Sequence, residues 1–313
     1  MTPPPGSRNP AHSVHDRLLK LAHGLKTDFN QVLERFVAER FLYRLSVSGE
    51  VDRFTLKGAA MFLVWSGKAL RRTRDVDLLG SGEQDAGTLR RTMEAVCAVP
   101  CPEDGLSLDL ESLRIGDIRK EEKYVGLRAK IIVRLGSARV PFQVDVGFGD
   151  VISPARVQAS YPTLLGHPEP RLWVYPRETS IAEKFEAMVK LGVANSRMKD
   201  FWDVAVLAGL FDFDGETLKG AIGDTLRRRD VVLTIEPPLA LTPGFYLDPV
   251  RAKLWTAFRR RLGTDAGGPS RLDEAGSTVV GFLEPIHRSL VAGSAFPQAW
   301  PAGGPWQPRA TGV

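Results

Sequence analysis

An α+β fold is predicted by three observations: a stretch with apolar residues at helical spacing, a following block that alternates in period two, and a return to helical spacing. The 313 residues are 43% hydrophobic and 25% charged, average for a globular chain, which excludes wholesale disorder and fibrous repeats. No run approaches the roughly 18 apolar residues of a membrane helix, and MTPPPGSRNPAHS has no apolar signal core. A cytoplasmic protein without membrane contact is expected.

The elements follow in order. Residues 1–12 are proline-rich without apolar periodicity and read as a disordered arm. From Thr27 and Asp28 a helix is predicted, with Phe29, Leu33, Phe36, Phe41 and Leu45 on one face. Arg53–Leu56 reads as a strand, Lys57-Gly58 as a tight turn, Ala59–Trp65 as a short buried helix, and Thr73–Leu79 as an alternating strand. Residues 124–134 and 140–148, separated by Leu-Gly-Ser-Ala, read as a hairpin. After Tyr175-Pro176 a helix starts at Thr179 or Ser180, and a second one carries Phe201, Val204, Leu207 and Leu210. Weaker helices cover 216–229, 249–262 and 273–291, and the proline- and glycine-rich 292–313 reads as an extended tail. The expected organisation is an arm to residue 12, a catalytic region over 13–175, a helical region over 176–291, and the tail.

Cys97 and Cys101 form a lone pair of thiols with no partner set for zinc, so they read as reduced and structural. His12, His15, His23, His167 and His287 show no ligand or triad spacing, which leaves nucleophilic hydrolysis without support. Forty-two Lys and Arg against 37 Asp and Glu give a net charge of +5, a mild preference for anionic partners. The arginines cluster at Arg71, Arg72 and Arg74, at Arg227 to Arg229, and at Arg259 to Arg261. Each run reads either as a solvated face or as a hold on nucleic-acid phosphates.

On the strand Thr73–Leu79, Asp75 and Asp77 share one face while Val76 and Leu78 share the other. Two carboxylates at i and i+2 put hard oxygen ligands together, which suits Mg²⁺ and, with it, the phosphates of a nucleotide. Asp145, between Val144 and Val146, points away from the core and is the candidate third carboxylate, which would serve a second cation in an in-line displacement at phosphorus. A fold-stabilising hydrogen bond is its other reading. The glycine turn at Gly58-Ala59 would let backbone N–H groups approach a phosphate, and Lys57 beside it reads either as a phosphate contact or as a solvated strand-end lysine.

Gly58-Ala59, a short helix and Asp75-Val76-Asp77 resemble the Gly-Ser…Asp-x-Asp signature of the DNA-polymerase-β-like nucleotidyltransferases. More closely, FTLKGAAM, RRTRDVDLLG, QVDVGFGD, YPRETSIAEKFEAMV and NSRMKDFWD together resemble the AbiEii/AbiGii toxin family, in order from about residue 30 to about 290. The resemblance implies a polymerase-β-like mixed sheet with a helical C-terminal region, and a type IV toxin–antitoxin nucleotidyltransferase akin to the MenT toxins. It further implies transfer of a nucleotide from an NTP to the 3′ acceptor end of tRNA, with Mg²⁺, and a cognate antitoxin. Position by position, Asp75 and Asp77 match the metal-binding pair, Lys184 a conserved lysine and Asp200 a later catalytic aspartate. Ala59 stands where the wider superfamily has serine, so one hydroxyl contact to the triphosphate is missing.

Physical roles accompany these matches. Lys184, one turn inside a helix that Glu178-Thr179-Ser180 would cap, could reach a nucleotide phosphate as a point charge; its other reading is a surface lysine paired with Glu183 or Glu186. Asp200 and Asp203 stand three apart and either could orient Lys184 or activate a hydroxyl, with an exposed helix start as the other reading and Asp203 ranked second. Asp150 reads as a turn residue. Trp173 and Tyr175 read as core, with base stacking as the alternative. Two rival functions remain open from sequence: nucleotidyl transfer to a small molecule or a protein hydroxyl, and a catalytically silent binding module.

Overall fold

The computed structural model describes residues 9–73, 75–118, 126–262 and 267–309. The chain divides into two compact units, Met1–Gly149 with Val157–Val174, and Asp150–Arg156 with Tyr175–Val313. The first is α+β with a mixed sheet and the second is mainly helical.

In the first unit, helix α1 (Pro10–Gly24) starts inside the stretch read as an arm. Asn9 accepts the Ala11 N–H at 3.1 Å and proline takes the first helical position, two start signals that outweigh the polar composition. Helix α2 (Phe29–Val47) is capped by Asp28, whose carboxylate accepts the Asn30 N–H at 2.9 Å. There follow β1 (Phe54–Lys57), a 3₁₀ turn over Gly58–Ala60, α3 (Met61–Ser66), β2 (Asp75–Gly80), α4 (Ala86–Cys97) and β3 (Leu106–Ile118). The predicted hairpin is β4 (Gly126–Leu135) with β5 (Ala138–Phe148), turning at Gly136 with φ +59°; its first two expected residues lie outside the described ones. Strands β6 (Val157–Ser160) and β7 (Arg171–Val174) complete the sheet.

The seven strands run in the order β3-β4-β5-β2-β1-β7-β6, parallel between β2 and β5 and between β1 and β7, antiparallel elsewhere. Val76, Leu78, Val144, Val146, Leu127 and Ala129 bury one face against Phe36, Phe41 and Leu45 of α2. Alternation therefore turns Asp75, Asp77 and Asp145 to the opposite face. β3 escapes the alternation rule because its register shifts between Asp109 and Arg114 and most of it is half-buried or exposed.

Charge is also buried here. Arg40 and Arg44 of α2 enclose Asp104, at 3.2 Å (Nε to Oδ2) and 2.6 Å (Nη1 to Oδ2), and Asp104 is fully buried. Glu39, also fully buried, accepts the Leu164 N–H through Oε2 at 2.9 Å, while Oε1 has no hydrogen-bond partner among the described residues. Burial pushes this carboxyl up to about 7, against the pull of the Leu164 N–H, Arg35 and Arg40. The folded chain thus holds a proton that the unfolded chain releases near the ordinary value of 4.5, so Glu39 contributes a loss of stability as pH rises from there to about 7. Glu39→Gln is expected to gain melting temperature relative to wild type between pH 5 and pH 8; parallel melting curves against pH check this.

The second unit contains α5 (Arg177–Leu191), α6 (Met198–Leu210), β8 (Phe213–Asp214), α7 (Gly215–Arg228), α8 (Pro243–Tyr246), α9 (Pro249–Leu262), α10 (Leu272–Ala292), β9 (Gln298–Trp300) and β10 (Gln307–Pro308). α5 begins before the expected cap, and Thr179 instead exchanges hydrogen bonds with the backbone of Ser153, at 3.1 and 2.8 Å. Phe201 stacks on Phe245 at 4.6 Å in its core. The segment read as an extended tail is packed: Phe296 and Trp300 are buried, and Trp306 stacks nearly parallel on Phe282 at 5.6 Å. Aromatic anchors in it outweigh its proline and glycine content.

Both cysteines are free, and burial pushes the Cys97 thiol up to about 12, which keeps it inert. Among the described residues no helix is long and apolar enough to cross a membrane.

Candidate active site

The open face of the sheet in the first unit carries a row of charge set by strand register. Lys57 on β1 pairs with Asp77 on β2, Asp77 with Asp145 on β5, and Asp145 with Arg128 on β4. Asp75 lies one pleat along, opposite Gln143. Laterally paired residues project to the same side, so the sheet brings Asp75, Asp77, Asp145 and Lys57 together. Lys57 extends over β5, where a Cβ at Gly147 would lie 3.8 Å from its Nζ.

Gly58 explains itself by what it faces. With φ at +74°, it would carry a Cβ 2.8 Å from Cγ and 2.9 Å from Cβ of Asp77. Glycine is required both for the backbone angle and for the approach of the Asp77 carboxylate to the turn. Gly58→Ala is therefore expected to displace Asp77 and to cost far more activity than melting temperature; an activity assay beside a melting curve checks this, and an alanine variant of normal turnover would contradict it. Ala59 is buried and supplies no side-chain donor.

Asp145 faces the pair but is engaged. Arg128 donates to it in a fork, Nε to Oδ1 at 2.8 Å and Nη2 to Oδ2 at 2.7 Å, and Gln143 Nε2 donates to Oδ1 at 3.0 Å. The Arg128 guanidinium is held above its ordinary value, first by the Asp145 hydrogen bonds and further by the charges of Asp145, Asp75 and Asp77. Asp75 and Asp77 present oxygen ligands of the kind a hard divalent cation takes, with phosphate and water completing its shell. Both oxygens of Asp145 accept from Arg128, so the third-ligand role expected for it would compete with that fork, and among the described residues no three His, Cys, Asp or Glu side chains converge as a metal cage.

The helical unit holds a second charged cluster. Lys184 Nζ on α5 lies 2.8 Å from Asp203 Oδ2 and 3.6 Å from Asp200 Oδ1, both on α6, and Arg197 Nε donates to Asp200 Oδ2 at 2.5 Å. Asp200 and Asp203 are 1% exposed, so Lys184 and Arg197 are the counter-charges that make their burial tolerable. Lys184 is thus paired across helices, with Asp203 and Asp200. Asp203, ranked second from sequence, is the nearer carboxylate.

The arginine clusters separate. Arg72 is bound to Glu34 at 2.6 Å, Arg71 lies 6.0 Å from the Phe62 ring, and Arg74 lies outside the described residues. Arg229 is neutralised by Asp150 at 2.9 Å, Glu186 at 2.6 Å and Glu183 at 3.5 Å. Burial pulls its guanidinium down, but these three carboxylates outweigh it and hold it above its usual value. Arg229 is therefore part of an internal network, as is Asp150, and not a phosphate contact. Tyr175 is buried and donates to Glu183 at 3.1 Å, while Trp173 Nε1 donates to Asp52 at 2.7 Å.

Sequence reasoning missed Arg128 and Gln143. The signal was present: a hairpin turning at Gly136-Ser137 sets Arg128 opposite Asp145, and Gln143 is two residues from Asp145 on the same face.

A family model described as nucleotidyl transferase AbiEii toxin, type IV TA system, matches residues 40–275. Among solved structures, JHP933 from Helicobacter pylori is 14% identical, with 84% of this chain and 94% of that chain covered at a TM-score of 0.47. Another H. pylori protein, solved as a candidate nucleotidyltransferase, is 16% identical, with 85% and 99% covered, also at 0.47. No curated protein sequence matches significantly.

Proposed function

The chain belongs to the AbiEii nucleotidyl transferase toxin family of type IV toxin–antitoxin systems, and we propose that it transfers an NMP unit from an NTP to the 3′ acceptor end of tRNA, so blocking translation. The observation that carries the reading is the pair Asp75 and Asp77 on the open sheet face, with Gly58 backed against Asp77. Family membership implies an antitoxin as partner and an NTP as donor.

In this reading Asp75 and Asp77 would hold Mg²⁺, which would neutralise triphosphate charge. The terminal hydroxyl of the acceptor attacks the α-phosphorus. A new P–O bond forms there, the bond to the bridging oxygen breaks, pyrophosphate leaves, and the hydroxyl proton passes to solvent or a nearby carboxylate. Lys57 and the Gly58-Ala59 turn are proposed as nucleotide contacts, and Lys184 as a point charge for phosphate, with Asp200 as its orienting carboxylate.

Because Lys184 also compensates buried Asp203 and Asp200, Lys184→Ala is expected to lower both melting temperature and turnover. The double variant Lys184→Met/Asp203→Asn should recover much of the melting temperature while turnover stays down by roughly 10²–10³-fold, the usual loss when a positioned charge is removed from a transition state. Recovery of turnover together with stability would reduce Lys184 to a structural role.

The acceptor is tested with RNA whose 3′ ends are intact or blocked. Purified protein, each labelled NTP in turn, Mg²⁺ and total RNA should label a tRNA-sized band, and periodate-blocked RNA should not. Label on protein, on a small molecule, or on blocked RNA would defeat the tRNA 3′-end assignment.

A further inference from the structure

A third carboxylate beside an i, i+2 pair is the arrangement that would bind a second divalent cation or tighten the hold on the first. Register supplies that carboxylate, since Asp145 lies directly across from Asp77. Its oxygens are already committed to three N–H donors, two from Arg128 at 2.8 and 2.7 Å and one from Gln143 at 3.0 Å. The two arginine bonds form the planar fork in which guanidinium and carboxylate match best. Asp145 is 16% exposed and Arg128 35%, so the pair is partly withdrawn from solvent screening. A cation that took both Asp145 oxygens would break the fork, and one that took only the remaining acceptor site of Oδ2 would sit beside a guanidinium of like charge.

From this geometry we infer that Arg128 is a built-in counter-ion that withholds Asp145 from metal, so that Asp75 and Asp77 take one divalent cation and the fixed charge of Arg128 stands where a second would otherwise bind. The inference rests on the reading of Asp75 and Asp77 as the cation pair. Arg128 is here a positioning residue, acting through Asp145.

The test uses Mn²⁺ alone, titrated into the full chain without nucleotide and followed by the electron-spin resonance of the free ion. Wild type is expected to bind one Mn²⁺, and Asp77→Asn to lose it. Arg128→Met frees Asp145 and should either add a second Mn²⁺ or tighten the first by about tenfold or more, from removal of a nearby positive charge. The decisive variant is Arg128→Met/Asp145→Asn, which removes the pair while keeping the net charge. It should bind one Mn²⁺ within about threefold of wild type, because no ligand has been lost and the Coulomb balance is unchanged.

Loss of Mn²⁺ by tenfold or more in that double variant would make Asp145 a ligand and overturn the inference; so would an Arg128→Met protein that binds Mn²⁺ as wild type does. A wild type that binds no Mn²⁺, or binds it equally well after Asp77→Asn, would overturn the cation-pair reading beneath, and the inference would fall with it. Melting curves establish folding of each variant. Should Arg128→Met fail to fold, Arg128→Lys, which cannot span both carboxylate oxygens, is expected to tighten Mn²⁺ to a smaller degree, and unchanged binding there would overturn the inference in the same way.

Discussion

Asp77→Asn is expected to abolish nucleotidyl transfer, with turnover down by at least roughly 10²–10³-fold, as follows from loss of the charge that holds a catalytic cation. The amide is isosteric with the carboxylate, so it meets the same contact with Gly58 that Asp77 makes. What changes is ligand chemistry, since one oxygen becomes an NH₂ that cannot bind a divalent cation. Removing the Asp77 charge relieves repulsion from Asp75 and Asp145 but also weakens attraction to Lys57 and Arg128, so the melting temperature should change little. Single-turnover assays with the two proteins at matched folded concentration check the expectation. Wild-type turnover in Asp77→Asn, or turnover that persists in EDTA, would contradict the metal assignment.

The largest effect on stability is expected at Asp104. This carboxylate sits between the guanidiniums of Arg40 and Arg44, and Asp104 and Arg40 are fully buried. Asp104→Ala leaves two buried cations, of which Arg40 keeps Glu103 at 3.0 Å. Breaking a buried pair by removing one partner typically costs about 3–5 kcal/mol, far above a surface ion pair. Replacing all three residues by apolar side chains of similar volume should recover most of that loss, because the desolvation penalty disappears with the charges. Melting midpoints of the single and triple variants check both expectations. A single variant as stable as wild type would mean that water reaches the arginines on small rearrangement.

Much of the architecture is legible from period alone. α2 and β2, the β4–β5 hairpin, and helices α5, α6, α7, α9 and α10 all follow spacings that can be read off the chain. What escapes is what other forces override. α1 starts within a proline-rich stretch because Asn9 and Pro10 form a good helix start, and the last segment packs because Phe296, Trp300 and Trp306 reach a shared core. β3 is obscured by its register shift.

The candidate site divides the same way. Asp75 and Asp77 are legible because alternation on one strand assigns a face without any knowledge of tertiary structure. Asp145 follows from its flanking valines, but its partner does not, because Arg128 enters only through the register between two strands. The pairing of Lys184 with Asp203 joins two helices, and nothing in local spacing separates Asp203 from Asp200. Similarly, Arg227 to Arg229 read as one basic run, yet Arg227 is exposed beside Asp224 and Arg229 is enclosed by three carboxylates.

Nucleotidyl transfer requires attack at the α-phosphorus of the donor. Purified protein, tRNA, Mg²⁺ and an NTP labelled at either the α- or the γ-phosphorus separate nucleotidyl transfer from every other use of the triphosphate. The α-label should move onto the RNA and the γ-label into pyrophosphate, in equal amounts, with neither product formed by Asp77→Asn. Transfer of the γ-label to RNA, or release of γ-label without any α-label on the acceptor, would contradict nucleotidyl transfer.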